Sequence, residues 1–163
     1  MLSLALSALC GCAPLFLLDS SNFGDVDTVK RHLLDETWEI QENHYDYAER
    51  ADYSQPFEIL EDALLDTPGT LYFGEDSEVG RRELVYTDPE GGEQAGVFIL
   101  EADVDNDNPM IAFEDMDLLF ADPVLVNTKW DVTVFEPEFF ELHLVLEGSE
   151  TRHRQTLSLT LDD

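Results

Sequence analysis

An alternation of inward apolar residues with mostly polar ones near the C-terminus limits what this chain can fold into. Between residues 139 and 147, and again between 156 and 161, every second residue is apolar. These positions are Phe140, Leu142, Leu144 and Leu146, then Leu157, Leu159 and Leu161. A period of two is that of a β-strand with one buried face. We therefore expect two antiparallel strands joined by a turn at 147–150, which places Leu144 opposite His153 on the inner face.

Shorter segments of the same character precede this hairpin. Strands are predicted at 37–40, 69–73, 83–87, 96–103, 110–113 and 129–135. A short helix is predicted over 26–35, because Val26, Val29 and Leu33 recur at helical spacing after a possible N-cap at Asp25. Residues 45–66 contain several aromatic side chains and show no clear helical or strand period. About eight antiparallel strands lose their exposed edges by closing, so the expected fold class is an all-β barrel preceded by one helix, with a β-sandwich as the alternative.

The charge of the chain excludes two classes of partner. Acidic residues number 37 and basic residues 8, which gives a net charge of −29, while 44% of residues are hydrophobic. The apolar content predicts a folded domain. Nucleic acids and anionic membrane surfaces would repel such a chain. The acidic composition favours a halophilic source, with divalent-cation binding as the alternative explanation.

The N-terminus has the character of an export signal. Residues 1–9 are apolar or small and carry no charged side chain, and Leu9-Cys10-Gly11-Cys12 follows at their end. This pattern resembles the lipobox of bacterial lipoproteins, with Cys12 as the lipidated residue. We expect a signal peptide over 1–11, a tether over 12–24 and a domain over 25–163, anchored in the cell envelope through Cys12. An ordinary cleaved signal peptide is the alternative.

Three segments carry a family resemblance. Trp38 lies in the first predicted strand, Gly69-Thr70-Leu71-Tyr72-Phe73 forms the next, and Trp130 opens a strand before the Leu-rich hairpin. This order resembles the lipocalin-like lipoproteins of bacteria over residues 33–161. The resemblance implies a cup that holds a small lipophilic ligand, lined by Trp38, Phe73, Trp130 and Phe140. The alternative is that these aromatic residues form the core of a filled barrel, which acts as a structural or protein-interaction module.

An acidic loop offers a possible metal site. Asp103, Asp105, Asp107 and Glu114 stand at positions 1, 3, 5 and 12, the spacing of a calcium-binding loop. Pro109 and the strand-like flanks argue for a polar hairpin loop instead. Both interpretations stay open, the first implying a calcium-dependent surface protein. No other cofactor is expected.

The sequence contains no pattern typical of an active site. His143 and His153 are predicted to lie on opposite faces of their hairpin, so they do not predict a joint metal site. Nucleophile-elbow and nucleotide-binding motifs do not occur, and paired carboxylates are too common here to indicate acid–base catalysis. We therefore expect a protein without enzymatic activity. The sequence gives no indication of its oligomeric state.

Overall fold

The computed structural model describes residues 26–75, 81–103 and 108–162. Within these ranges the chain forms one helix, nine strands and two 3₁₀ turns, at Asp117–Leu119 and Pro123–Leu125. The helix and strands are α1 (Val26–Leu33), β1 (Glu36–Glu49), β2 (Glu58–Leu64), β3 (Thr70–Phe73), β4 (Arg82–Thr87), β5 (Glu93–Ala102), β6 (Pro109–Glu114), β7 (Trp130–Glu136), β8 (Phe139–Glu147) and β9 (Thr151–Leu161).

Strand β1 closes the sheet into a barrel. One edge of β1 pairs with β9 from Trp38 to Glu49, while residues Glu36 to Glu39 on the other edge pair with β3. Strands β3 to β9 each pair with the next strand in the chain, and every pairing is antiparallel. Strands β1 and β3–β9 thus form a closed up-and-down barrel of eight strands, the architecture of lipocalin-like barrels. The expected fold class is confirmed.

Strand β2 lies outside this ring. It pairs with the second half of β1, from His44 to Glu49, and stands at the end of the sheet order. The sequence predicted an irregular stretch here, whereas β1 in fact continues to Glu49. A register shift between Ile40 and Glu42 moves the inward-facing positions from Trp38 and Ile40 to Asn43 and Tyr45. This bulge interrupts the period of two and hides the strand from sequence analysis.

Helix α1 covers the end of the barrel at which β1 begins. Its residues Val29 and Leu33 are completely buried and belong to the same apolar cluster as the barrel interior. The backbone N–H of Asp35 donates to the carbonyl of Phe73 over 2.7 Å, which fixes the end of the helix against β3. The helix is therefore part of the core and ends two residues earlier than the sequence predicted.

The connection from β6 to β7 covers the opposite end. Residues 115–129 include both 3₁₀ turns, and they bury Met116, Leu119, Phe120 and Leu125. Strands β6 and β7 themselves share only two paired positions. Both ends of the barrel are thus covered by the chain.

The last hairpin has the predicted faces but another register. Leu144 lies opposite Gln155, and His153 lies opposite Leu146. The prediction of a Leu144–His153 pair is wrong because Glu147 still pairs with Arg152, so the loop begins one residue later, at Gly148. The alternating leucines nevertheless all turn inward.

Candidate functional site

The four aromatic residues expected to line a ligand cup all lie inside the barrel. Trp38, Phe73, Trp130 and Phe140 are each 0% exposed, so no water-sized space borders their side chains. Each ring contacts another: Trp38 lies 5.9 Å from Phe140, and Phe73 lies 5.1 Å from Phe98. Trp130 packs between two rings of the described chain, Phe113 at 6.1 Å and Phe120 at 5.7 Å. The four positions are interior, and each of the four rings packs against another aromatic ring.

A buried polar network holds the chain segment that covers the second end. Gln155 donates from Nε2 to Asn43 Oδ1 and to the carbonyl of Leu119, both over 2.6 Å. Its Oε1 accepts from the backbone N–H of Ala121 over 3.1 Å. Asn43 also donates to the carbonyl of Leu119 and to Thr67 Oγ1. Because hydrogen bonds in a low-dielectric interior fix geometry strongly, this network locks residues 119–121 against β1 and β9.

A tyrosine–histidine pair lies next to this network on the same two strands, β1 and β9. The hydroxyl of Tyr45 lies 2.9 Å from His153 Nδ1, and the ring of Tyr47 lies 4.8 Å from that imidazole. Burial, followed by the nearby carboxylate of Asp122, raises the pKa of Tyr45 to about 12. The phenol is therefore protonated at neutral pH, and the pair serves as a structural contact. His143 lies on the outer face, 2.9 Å from Glu141, as the predicted faces require.

The proposed calcium loop is only partly within the described residues. Asp105 and Asp107 lie outside them, whereas Asp103 closes the β5–β6 hairpin by donating its backbone N–H to Asn108 over 2.7 Å. Glu114 pairs with Val97 at the far end of β6 and forms an ion pair with Arg81. At ~3.4 Å per residue, strand β6 carries Glu114 away from Asp103. The structure does not bring these two carboxylates together.

No cluster elsewhere in the described chain supplies a metal site. Among residues 26–75, 81–103 and 108–162, no three His, Cys, Asp or Glu side chains converge as metal ligands. Calcium binding by this protein stays a prediction.

The exposed apolar side chains concentrate on the β1–β2 hairpin. Six large hydrophobic residues are exposed in the described chain, and four of them belong to this hairpin: Tyr53, Ile59, Leu60 and Leu64. Every residue of β2 except Ala63 is exposed. Strand β2 thus has solvent on both faces. We call residues 58–64 the β2 edge.

Arginine residues hold the hairpin against the barrel. The guanidinium of Arg50 lies 4.6 Å from the ring centre of Tyr53 and 4.3 Å from that of Phe57, and Arg152 lies 4.6 Å from Phe57. Arg50 Nε also donates to the carbonyl of Ser149 over 2.8 Å. These cation–π contacts and the hydrogen bond tie the turn of the hairpin to the β8–β9 turn. The hairpin is therefore a fixed part of the surface.

Sequence reasoning missed this region, because residues 45–66 show no regular period. The signal available was chemical: the chain has few basic residues, and Arg50, Arg152 and Arg154 are three of them. Arg152 and Arg154 both approach Asp46, at 3.9 and 3.8 Å. In so acidic a chain, a cluster of arginines indicates that acidic or aromatic side chains will pack around those arginines in the folded structure.

Three predictions lie outside the described residues. They are the signal peptide over 1–11, the tether over 12–24 and the lipid attachment at Cys12. Within the part of the chain that the structure describes, no helix is long and apolar enough to cross a bilayer.

Comparisons with known proteins assign no family to this chain. No protein-family model matches the chain, and no curated protein matches it. Among solved structures, the chain is similar to japanin from Rhipicephalus appendiculatus, in a crystal form bound to cholesterol, with 18% identity and a TM-score of 0.39. The similarity covers 79% of this chain and 76% of japanin. At that level it assigns neither a family nor a ligand, and the fold rests on the strand pairings described above.

Proposed function

We propose that this protein is a non-enzymatic interaction module, in which the filled barrel is a rigid scaffold and the β1–β2 hairpin is the binding surface. One observation carries the proposal. The four aromatic side chains expected to line a ligand cup are completely buried, while exposed apolar side chains gather outside, on the hairpin. Exposed large apolar side chains that gather on one element are typical of interaction sites.

The packing of the interior argues for a scaffold. Small-molecule sites are concave and enclose several hundred cubic ångströms, about 300–1,000 Å³. Here the side chains of Trp38, Phe73, Trp130 and Phe140 contact other rings, and the chain covers both ends of the barrel. An eight-stranded barrel is just wide enough for side chains to fill it. A ligand would have to displace this core in order to enter.

Native mass spectrometry of the purified protein tests the proposal. The mass is measured under gentle conditions before and after extraction with an organic solvent. We expect the mass of the polypeptide, with any covalent modification, to be the same in both spectra. A mass excess that disappears on extraction would contradict the filled-scaffold proposal and would identify the chemical class of the ligand.

The second candidate function is the binding of a small lipophilic molecule that carries a polar oxygen. One observation favours it: the indole Nε1 atoms of Trp38 and Trp130 are buried and have no hydrogen-bond acceptor among the described residues. A buried donor without an acceptor costs ~1–3 kcal/mol, which a ligand hydroxyl or carbonyl would recover. The same mass spectra distinguish the two candidates.

The cellular setting is a further part of the proposal. The lipobox-like sequence Leu9-Cys10-Gly11-Cys12 supports attachment of the module to the cell envelope through a lipid on Cys12. Labelling with an alkyne fatty acid in an exporting bacterium tests this, with Cys12→Ser as the variant and Cys10→Ser as the control. Incorporation that is lost only in Cys12→Ser supports the anchor. Equal labelling of both variants, or no labelling of the unchanged chain, would contradict it.

A further inference from the structure

We infer that the β2 edge binds an extended cationic segment of a partner protein by strand addition, with two adjacent basic residues of the partner opposite Glu61 and Asp62. This inference rests on the proposed function and names the binding mode and the chemistry of the partner. It follows from three features of β2: its unpaired backbone, the order of its side chains, and the like charges that it faces on β1.

The backbone of β2 is available along one edge. Strand β2 is the last strand of the sheet order and pairs with β1 alone. Its residues form no other backbone hydrogen bond within the described chain. The N–H and C=O groups on an open edge are a template for one more strand, and recognition of extended peptides by strand addition uses such edges.

The side chains of β2 define what a complementary strand must carry. Reading along the strand, Ile59 and Leu60 are apolar, Glu61 and Asp62 are acidic, and Ala63 and Leu64 are apolar. Glu61 lies opposite Tyr47, and Asp62 lies opposite Asp46, so the two acids point to opposite faces. A partner strand with two adjacent basic residues places one of them on each face. Its flanking apolar residues then meet the apolar ends of β2.

Like charges within the hairpin favour a cation on the free edge. Across the β1–β2 pair, Asp46 faces Asp62 and Glu49 faces Glu58. Like charges that lie directly opposite on neighbouring strands are destabilising. Asp62 has a histidine partner, His44 at 2.6 Å, but neither Glu58 nor Glu61 forms an ion pair among the described residues. Because Arg152 and Arg154 already approach Asp46, the repulsion that remains is that of Glu49 with Glu58, beside the unpaired charge of Glu61. A cationic strand ~4.8 Å from β2 would relieve it.

The charge of the chain argues against a second copy as the occupant. Each copy has a net charge of −29, and pairing β2 with β2 would bring Glu61 and Asp62 against the same residues of the other copy. The long-range field of this protein instead attracts cationic segments and accelerates their association.

The test uses the full chain and a capped peptide. The peptide has two adjacent lysines at its centre, with a valine and an isoleucine on either side of the pair. Hydrogen exchange with mass-spectrometric or NMR detection reports protection of residues 58–64. We expect the peptide to slow exchange there and to bind more weakly as sodium chloride increases. The variant Glu61→Gln with Asp62→Asn should bind roughly tenfold more weakly, since both charge pairs are lost. Glu136→Gln with Glu138→Gln, which removes two charges at the other end of the barrel, should bind like the unchanged chain.

A charge-reversed variant, paired with a charge-reversed peptide, distinguishes a loss of binding from a loss of folding. The variant Glu61→Lys with Asp62→Lys should bind a peptide with two glutamates in place of the lysines, and it should lose the lysine peptide. A lysine peptide whose edge-facing peptide nitrogens are methylated keeps its charge but cannot donate to β2, and it should not bind. Equal binding of the methylated peptide would overturn strand addition.

Three further outcomes would also overturn the inference. Residues 58–64 could already be protected in the free protein, which would mean that another segment of this chain occupies the edge. Sedimentation could show a dimer that the lysine double variant dissociates, which would identify a second copy as the occupant. The lysine peptide could fail to bind although native mass spectra show an unliganded barrel, and in that case the interaction module stands without this partner. A solvent-extractable mass excess, in contrast, would contradict the module itself.

Discussion

Single residues in this barrel combine burial with incomplete hydrogen bonding. Trp38 and Trp130 bury their indoles completely without an acceptor for either N–H in the described chain, whereas Tyr45 shares its hydroxyl with His153. The packing of the indoles and the hydrogen bond of the phenol therefore make different contributions to the free energy of unfolding. Substitutions that remove one polar atom can separate the two.

Trp38→Phe tests whether the indole N–H lacks an acceptor. We expect it to lower the free energy of unfolding by less than ~2 kcal/mol, because the lost packing is offset by removal of an unsatisfied donor. Trp38→Ala, which empties the site, should cost ~3–5 kcal/mol. Urea unfolding followed by circular dichroism measures both. A phenylalanine variant as unstable as the alanine variant would show that the N–H has a bound acceptor.

Tyr45 makes stability depend on pH in the alkaline range. Its pKa is raised from 10.0 to about 12, chiefly by burial, so the unfolded chain loses this proton first as pH rises. The stabilisation is present below pH 10 and is lost progressively up to about pH 12. Tyr45→Phe should cost ~1 kcal/mol at pH 7 through the lost hydrogen bond to His153, and it should flatten the fall above pH 10. Urea titrations at stepped pH check this, with the exposed Tyr53→Phe as control; an unchanged alkaline fall in Tyr45→Phe would contradict it.

At the scale of elements, the segment between β6 and β7 depends on side-chain hydrogen bonds. Strands β6 and β7 pair at two positions only, so the barrel wall is weakest there. Gln155 and Asn43 hold the segment by its backbone, at Leu119 and Ala121. The arginine contacts of the β1–β2 hairpin perform the same task for β2. Both elements are positioned by long-range contacts, with little contribution from local propensity.

Gln155→Leu should release this segment. The substitution keeps a side chain of similar size but leaves the Ala121 N–H without its acceptor, which should cost ~2–4 kcal/mol of stability. Hydrogen exchange in residues 117–126 should accelerate more than exchange in β8. Thr156→Val, on the outer face of β9, serves as the control and should change stability by less than ~0.5 kcal/mol. Equal exchange rates in Gln155→Leu and the unchanged chain would show that apolar contacts alone hold the segment.

At the scale of the whole molecule, net charge opposes the compact state. A charge of −29 on a small barrel produces self-repulsion, and only a few ion pairs in the described chain compensate it. Because added salt shortens the Debye length from ~10 Å at 0.1 M to ~3 Å at 1 M, ionic strength should control the stability of this fold.

The unfolding temperature should therefore rise with sodium chloride well beyond 0.15 M. Differential scanning calorimetry between 0.1 and 2 M salt measures the slope. A variant with several surface glutamates changed to glutamine, for example at Glu90, Glu93, Glu136 and Glu138, should show a shallower slope because it has less repulsion to screen. A flat or falling curve in the unchanged chain would contradict the prediction, made from the acidic composition, of a halophilic source.

The sequence could predict most of the barrel because its signals are local. Alternating leucines define β8 and β9 and the face that each buries, and the turn residues separate the strands from β3 to β7. The inward positions of Trp38, Phe73, Trp130 and Phe140 follow from the same period of two. The register of the last hairpin was missed by two residues, because the loop lies one residue further along the chain and this changes the partner of every residue in β8 by two.

By itself, then, the sequence determined an acidic, antiparallel barrel with one helix and an aromatic interior, because alternation, turn chemistry and charge are properties of neighbouring residues. Only the tertiary structure decided that Trp38, Phe73, Trp130 and Phe140 are completely buried, that Glu114 lies away from Asp103, and that β2 pairs with β1 alone among the described residues. These features depend on contacts between residues far apart in the chain, such as Asn43 with Gln155 and Arg50 with Ser149. The alternation of apolar and polar residues predicts which face of the sheet a side chain lies on. It does not predict which distant residue that side chain will contact.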